Sequence, residues 1–137
     1  MRVQLSLCPL ERYESQLYIV VKHRKTYREM IVVENKKELK ELIKQRIHEQ
    51  GLSCDLNDID VSRVEDMSDL FIDSAFNGDI SGWDVSSVID MWNMFADSKF
   101  NGDLSNWNVD MKKVQYAFDM FKGSPLEGNE PSWYIDK

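Results

Sequence analysis

Apolar and polar residues alternate at Val3, Leu5 and Leu7 until Pro9, the pattern of a short half-buried strand ended by a residue that cannot donate to a ladder. Two further runs rich in β-branched and aromatic residues, Leu17 to Val21 and Tyr27 to Val33, flank Lys22-His23-Arg24-Lys25-Thr26. That arrangement predicts a hairpin with a basic tip. The period then changes. Leu39, Leu42, Ile43 and Ile47 fall on one face of a helix over about residues 36–49, with Asn35 and Glu38 forming a capping-box-like start and Gly51 supplying the stop.

Beyond residue 53 the chain repeats itself. Phe76-Asn-Gly-Asp-Ile-Ser-Gly-Trp83-Asp-Val85 recurs as Phe100-Asn-Gly-Asp-Leu-Ser-Asn-Trp107-Asn-Val109, displaced by 24 residues. A second block, Val64-x-x-Met67-x-x-Leu70-Phe71, recurs from Val88 to Phe95 and, after an insertion near Asp110-Met111 that lengthens the offset to 26, from Val114 to Phe121. Ile59-Asp60-Val61-Ser62 stands where Trp83-Asp84-Val85-Ser86 stands in the next unit, and Gly123 to Trp133 is a degenerate fragment of a further one. Within each unit the Val-x-x-Met-x-x-Met-Phe spacing predicts a short helix, Phe-Asn-Gly-Asp a turn through positive φ, and Ile-Ser-x-Trp-Asp-Val a short extended stretch. A unit of that size cannot bury its own apolar face, so stacking is required. The expected fold class is therefore α/β: a short leucine-rich-repeat-like solenoid of about three 24–26-residue helix-plus-strand units, preceded by a β-hairpin and an amphipathic helix. The expected organisation is a cap over residues 1–53, an acidic solenoid over 54–130 and a tail over 131–137.

The motif from Phe76 to Phe95 resembles the BspA-like leucine-rich repeat, also described as the mycoplasma-lipoprotein-type surface-protein repeat, and the resemblance covers about residues 55–126. Ile59 in place of a Trp, Ala117 in place of a Met, and the insertion in the third unit depart from it. The resemblance implies a bacterial or phage-borne protein that binds other macromolecules. In that family such repeats commonly sit on exported surface proteins and adhesins.

Composition allows a packed core: of 137 residues, 42% are hydrophobic, and 4 Trp, 5 Tyr and 6 Phe are present. Charge is distributed unevenly. Residues 1–53 carry 11 Lys and Arg against 7 Asp and Glu, residues 54–110 carry 2 against 13, and residues 111–137 carry 4 against 4. The middle segment, at −11, repels nucleic acid and attracts basic surfaces. No apolar run approaches membrane-spanning length, and the N-terminus lacks the pattern of an export signal, so a cytoplasmic location is expected.

Chemistry-bearing groups are sparse. His23 and His48 have no Ser, Cys or Asp partner at a motif spacing, Cys8 and Cys54 form no metal-ligand spacing, and phosphate-binding glycine loops are absent. The expectation is a non-enzymatic chain with no catalytic residues, no metal and no cofactor. Asp73-x-x-x-Asn77-Gly78-Asp79 and its copy at Asp97 place oxygen donors about a glycine but miss the calcium-loop spacing, and turn capping accounts for them. Trp83 and Trp107 recur in register and read as a buried ladder. Trp92 stands where Ser68 stands in the first unit, and we align Tyr116 with it in the third. Ile89 replaces Glu65 and Gln115. Exposed apolar groups at such places suggest contact anchors.

The candidate partner-binding residues are Asp66, Asp79, Asp84, Ile89, Asp90, Trp92, Asp97 and Asp103. The partner expected for them is a protein with a basic surface, with no direct nucleic acid and no membrane. The functional expectation is an intracellular inhibitor carried by a phage or mobile element, whose acidic face mimics nucleic acid and blocks a nucleic-acid-binding protein such as a defence nuclease. The alternative is a BspA-like bacterial surface or adhesion protein.

Overall fold

The computed structural model describes residues 2–4, 20–22, 25–27 and 29–137. Strands β1 (Arg2–Gln4), β4 (Met30–Val32) and β5 (Ile59–Asp60) form one sheet in the order β1-β4-β5, and β2 (Val20–Lys22) pairs antiparallel with β3 (Lys25–Tyr27). The apolar run from Tyr27 to Val33 is thus divided: its start joins β2, while Ile31 and Val32 pair parallel with Ile59 and Asp60. Leu5, Leu7, Pro9, Cys8, His23 and Leu17 lie outside the described residues.

Helix α1 spans Lys36–Gln50. Asn35 is its N-cap, with the side-chain oxygen accepting from the Glu38 N–H at 3.0 Å, and the Glu38 carboxylate accepts in return from the Glu34 N–H at 2.9 Å. Gly51, at φ 93°, ends the helix by donating to the Ile47 carbonyl at 2.8 Å. Leu39, Leu42 and Ile43 bury against the first repeat unit's core.

After α1 the chain winds into stacked coils of near-constant length, but they contain no helix and no strand beyond β5, so the helix-plus-strand solenoid is overturned. Two observations explain why. First, Asp69, Asp73, Asn93, Asp97 and Asp119 have φ between 54° and 57°, and Gly123 has φ 72°, so left-handed residues interrupt every stretch that would have been helical. Second, the amides there are divided between i→i+3 turns, such as Leu70 N–H to Met67 O at 3.3 Å, and bonds to the next coil, such as Phe71 N–H to Met94 O at 2.8 Å. An apolar spacing of i, i+3, i+6, i+7 fits a string of such turns as well as it fits a helix. The extended stretch is also a turn, because the Trp83 N–H donates to Ile80 O at 3.2 Å.

The interior is a set of columns, one residue from each coil. Phe71, Phe95 and Phe121 stack with centroids 5.4 and 5.7 Å apart and nearly parallel planes. Trp83, Trp107 and Trp133 stack at 6.4 and 6.2 Å, and each indole N–H donates to a carbonyl of the preceding coil, at Leu56, Ile80 and Leu104. One core cluster runs from Ile31 to Leu126, with Trp133 and Tyr134 packed against it. Gly78 and Gly102 are not at positive φ, contrary to the turn expected there. They are required by space, since a Cβ would lie 2.0 Å from the Cys54 carbonyl oxygen at Gly78 and 2.5 Å from the Phe100 ring at Gly102. Among the described residues no helix is long and apolar enough to cross a membrane.

Candidate partner-binding surface

Most of the repeated carboxylates are committed to holding the coils in shape. Asp55, Asp60, Asp66, Asp79, Asp84, Asp90, Asp103 and Asp110 each accept a hydrogen bond at Oδ1 from the backbone N–H two residues ahead, at 2.8–3.0 Å. These are Asx turns, in which a short side chain does the work of a backbone carbonyl. Where serine follows, its hydroxyl donates to the same oxygen: 2.7 Å for Ser81 on Asp79 and 2.6 Å for Ser86 on Asp84 and for Ser105 on Asp103. The Ser81, Ser86 and Ser105 bonds hold Asp79, Asp84 and Asp103 below the usual carboxylate range, helped at Asp84 by Asn108. Burial works against the ionised form of Asp66, but bonds from Ser68 and Lys36 outweigh it and lower that group as well. Asp69, Asp73 and Asp97 occupy the left-handed positions, which Asp tolerates better than most residues. Asp58 makes a bidentate pair with Arg46 of α1, at 3.0 and 2.7 Å, which raises the affinity of the guanidinium for its proton.

The sequence-selected residues therefore fall into separate places. Asp66 and Asp90 are bridged neighbours in one column, continued by Tyr116. Ile89, Asp90 and Trp92 share the middle coil beside them. Asp79 and Asp103 form a second column, flanking a depression with Ile80, Ser81 and Asn106. Asp84, bonded to Asn108 at 3.0 Å, belongs to a third, and Asp97 to a fourth whose next member is Gly123. Since 24 residues complete one coil, these columns stand at four stations around it. Among the described residues no cluster of His, Cys, Asp and Glu is arranged to hold a metal ion, and His48 is exposed at the end of α1.

The apolar candidates are more distinctive. Trp92 is 41% exposed and Phe118 39%, with their ring centroids 5.2 Å apart. The coil hydrogen bonds, Asp69 N–H to Trp92 O and Asn93 N–H to Phe118 O, set the column as Ser68, Trp92, Phe118, so Phe118 and not Tyr116 is the third-unit counterpart of Trp92. Counting four residues from Val64, Val88 and Val114 locates the same column in the sequence. Tyr116, 51% exposed, lies one column over, after Asp90. Ile89 is half-buried and forms part of a shallow groove with Glu65, Ser87, Lys112, Lys113 and Gln115. Trp92 and Phe118 thus form an exposed aromatic pair, their planes tilted by 31°, beside the Asp90 carboxylate that accepts the Trp92 N–H.

The family described as Mycoplasma protein of unknown function, DUF285, matches residues 37–137, and the chain belongs to it. No curated protein and no solved structure matches the chain.

Proposed function

We propose that this DUF285-family chain is a non-enzymatic protein-binding module that holds its partner through the exposed Trp92–Phe118 column. The observation that carries the reading is the exposure of two large rings in contact at a position where the first unit has only Ser68. Exposed aromatics that pair with each other are the residue types that dominate the energetics of protein interfaces. Tyr116 and Ile89 extend the apolar area, and Asp90 offers a charge to a basic group on the partner. The resemblance to BspA-like repeats, with their role in binding other macromolecules, supports a partner of that size.

The acidic coils have a lesser part in this reading. Although most of these carboxylates are engaged in turns, the chain as a whole carries a net charge of −7, which speeds encounter with a basic partner without supplying the grip. Mimicry of nucleic acid is the second reading, favoured by Asp84 and Asp103, which are exposed and accept their bonds at Oδ1.

The two separate in one experiment. The purified chain is used to capture protein from host lysate at low and high salt, alongside a Trp92→Ser, Phe118→Ser variant and an Asp79→Asn, Asp84→Asn, Asp103→Asn variant. The proposal expects a retained protein that survives high salt and the Asn variant but is lost with the Ser variant. Retention that ignores the Ser changes and vanishes with the Asn changes would overturn it in favour of mimicry.

A further inference from the structure

Phe76-Asn-Gly-Asp79 and Phe100-Asn-Gly-Asp103 are identical in sequence, yet the fold holds them differently. In both copies the Asn is exposed and the Gly half-buried. Both glycines are imposed by packing, since a side chain would meet the Cys54 carbonyl at Gly78 and the Phe100 ring at Gly102. Placing Gly after Asn has a chemical consequence. A backbone amide nitrogen can attack the side-chain carbonyl carbon of the asparagine before it, and a glycine leaves that approach unhindered because it has no Cβ. The attacking nitrogen is available in both copies, as neither the Gly78 nor the Gly102 N–H has an acceptor among the described residues.

The first copy is tied down on both sides of its glycine. Asn77 N–H donates to Leu52 O at 2.9 Å, Asp79 N–H donates to Cys54 O at 3.1 Å, and Asp79 O accepts from the Leu56 N–H at 2.9 Å. The Asn77 side chain is engaged too, its Oδ1 accepting from the Asn101 N–H at 2.9 Å. The second copy takes part in that last bond, as donor, and lacks the rest. The Asp103 N–H, the Asp103 backbone carbonyl and the Asn101 side chain have no hydrogen-bond partner among the described residues. One coil on, Glu127 of Leu126-Glu-Gly128 stands where a donor to Asn101 Oδ1 would be, but its N–H donates to Ser124 O at 3.1 Å within its own turn.

We infer that Asn101 is a site of spontaneous deamidation in the folded chain and that Asn77 is a protected one. The Gly102 nitrogen loses its proton and bonds to Asn101 Cγ. The Cγ–Nδ2 bond breaks, and Nδ2 takes up a proton and leaves as ammonia. Water then opens the succinimide ring at one carbonyl or the other, giving aspartate or isoaspartate. Either product adds a carboxylate to a segment already at −11. Isoaspartate also lengthens the main chain by a methylene between residues 101 and 102. The reaction needs neither the aromatic pair nor a partner, so it stands apart from the function proposed above.

Because the two tetrapeptides are identical, any difference between them in the folded chain comes from structure. The purified chain is held at neutral and at mildly alkaline pH and sampled over days by peptide mapping with mass spectrometry, beside the same chain in denaturant. In denaturant the two sites convert at equal rates. Folded, Asn101 is expected to convert at least about fivefold faster than Asn77, because closing the ring at Asn77 first requires opening its bonds to neighbouring coils. The rate at Asn101 rises with pH, as loss of the Gly102 proton demands, and isoaspartate accompanies aspartate there. An Asn101→Gln variant, whose longer side chain would have to close a larger ring, shows no conversion at 101 on this timescale. Equal rates in the folded chain, faster conversion at Asn77, or a folded chain in which both sites stay intact while both convert in denaturant, would each overturn the inference.

Discussion

Two columns run through the same coils at the same offsets, one inward and one outward. Phe71, Phe95 and Phe121 keep a single residue type over three coils, are almost wholly buried, and stack within 5.7 Å of one another. Ser68, Trp92 and Phe118 share the backbone geometry yet differ in every coil, and the last two stand in solvent. The contrast shows what repetition means in this molecule. A residue recurs where the coil needs it, whether to fill the core or to make a turn, and it varies where the coil is indifferent. By that measure the recurrent aspartates belong with the phenylalanines, although they are exposed, and Trp92 belongs with the features that the fold does not explain.

The largest expected effect lies in the inner column. Phe95→Ala removes a ring that stacks on Phe71, Phe100 and Phe121, and should lower unfolding free energy by about 3–5 kcal/mol in denaturant titrations. A loss below about 1 kcal/mol would mean that the column does not organise the core. Next comes the junction with α1. Asp58→Ala strands the Arg46 guanidinium, whose side chain is only 13% exposed, without its bidentate partner. The expected cost is about 3 kcal/mol, because a buried charge left alone loses its compensation. Arg46→Met with Asp58→Leu should recover most of that loss.

The part of this comparison that was legible in the sequence was the repetition itself. The offsets of 24 and 26 residues placed the Trp and Phe columns, and Asn35 and Gly51 marked the ends of α1. The local conformation within each unit was not legible from apolar spacing, which is shared by a helix and by a string of three-residue turns. The deciding signal was polar: Asp or Asn at 69, 73, 93, 97 and 119, residues that tolerate left-handed backbone and are poor in helix interiors. The Asp-x-Ser pairs at 60, 66, 79, 84 and 103 were likewise turn chemistry, which charge counting read as a surface for partners. Phe118 was missed because Trp92 was carried forward by 24 residues, to Tyr116, although the rest of the third unit aligns at an offset of 26.

A smaller effect separates turn-making from charge in the aspartates. Asp84→Ala removes the acceptor for the Ser86 N–H, the Ser86 hydroxyl and Asn108 and should cost about 1 kcal/mol, whereas Asp84→Asn keeps the Oδ1 acceptor and should cost less than half as much. Acidity tests the same group of residues together. Asp66, Asp79, Asp84 and Asp103 hold their protons less tightly in the folded chain than the ordinary carboxylate does. Their contribution is therefore complete above the unfolded value of about 4 and is lost as the pH falls below it, through their lower folded values. Thermal midpoints should hold steady from neutrality to about pH 5 and then fall, with the fall blunted in the Asp79→Asn, Asp84→Asn, Asp103→Asn variant.

The smallest expected effect on stability is the one that sharpens the comparison most. Trp92→Ser installs the residue that Ser68 already provides at the equivalent place in the first coil, so the backbone is known to accept it. The loss is confined to the contact with Phe118 and to surface already 41% exposed, which argues for a cost of about 1 kcal/mol or less. A cost near that of Phe95→Ala would show that Trp92 is a misplaced core residue, and the outer column would lose its claim to a separate role. A small cost combined with loss of the captured partner would show that the fold tolerates at this position what binding does not.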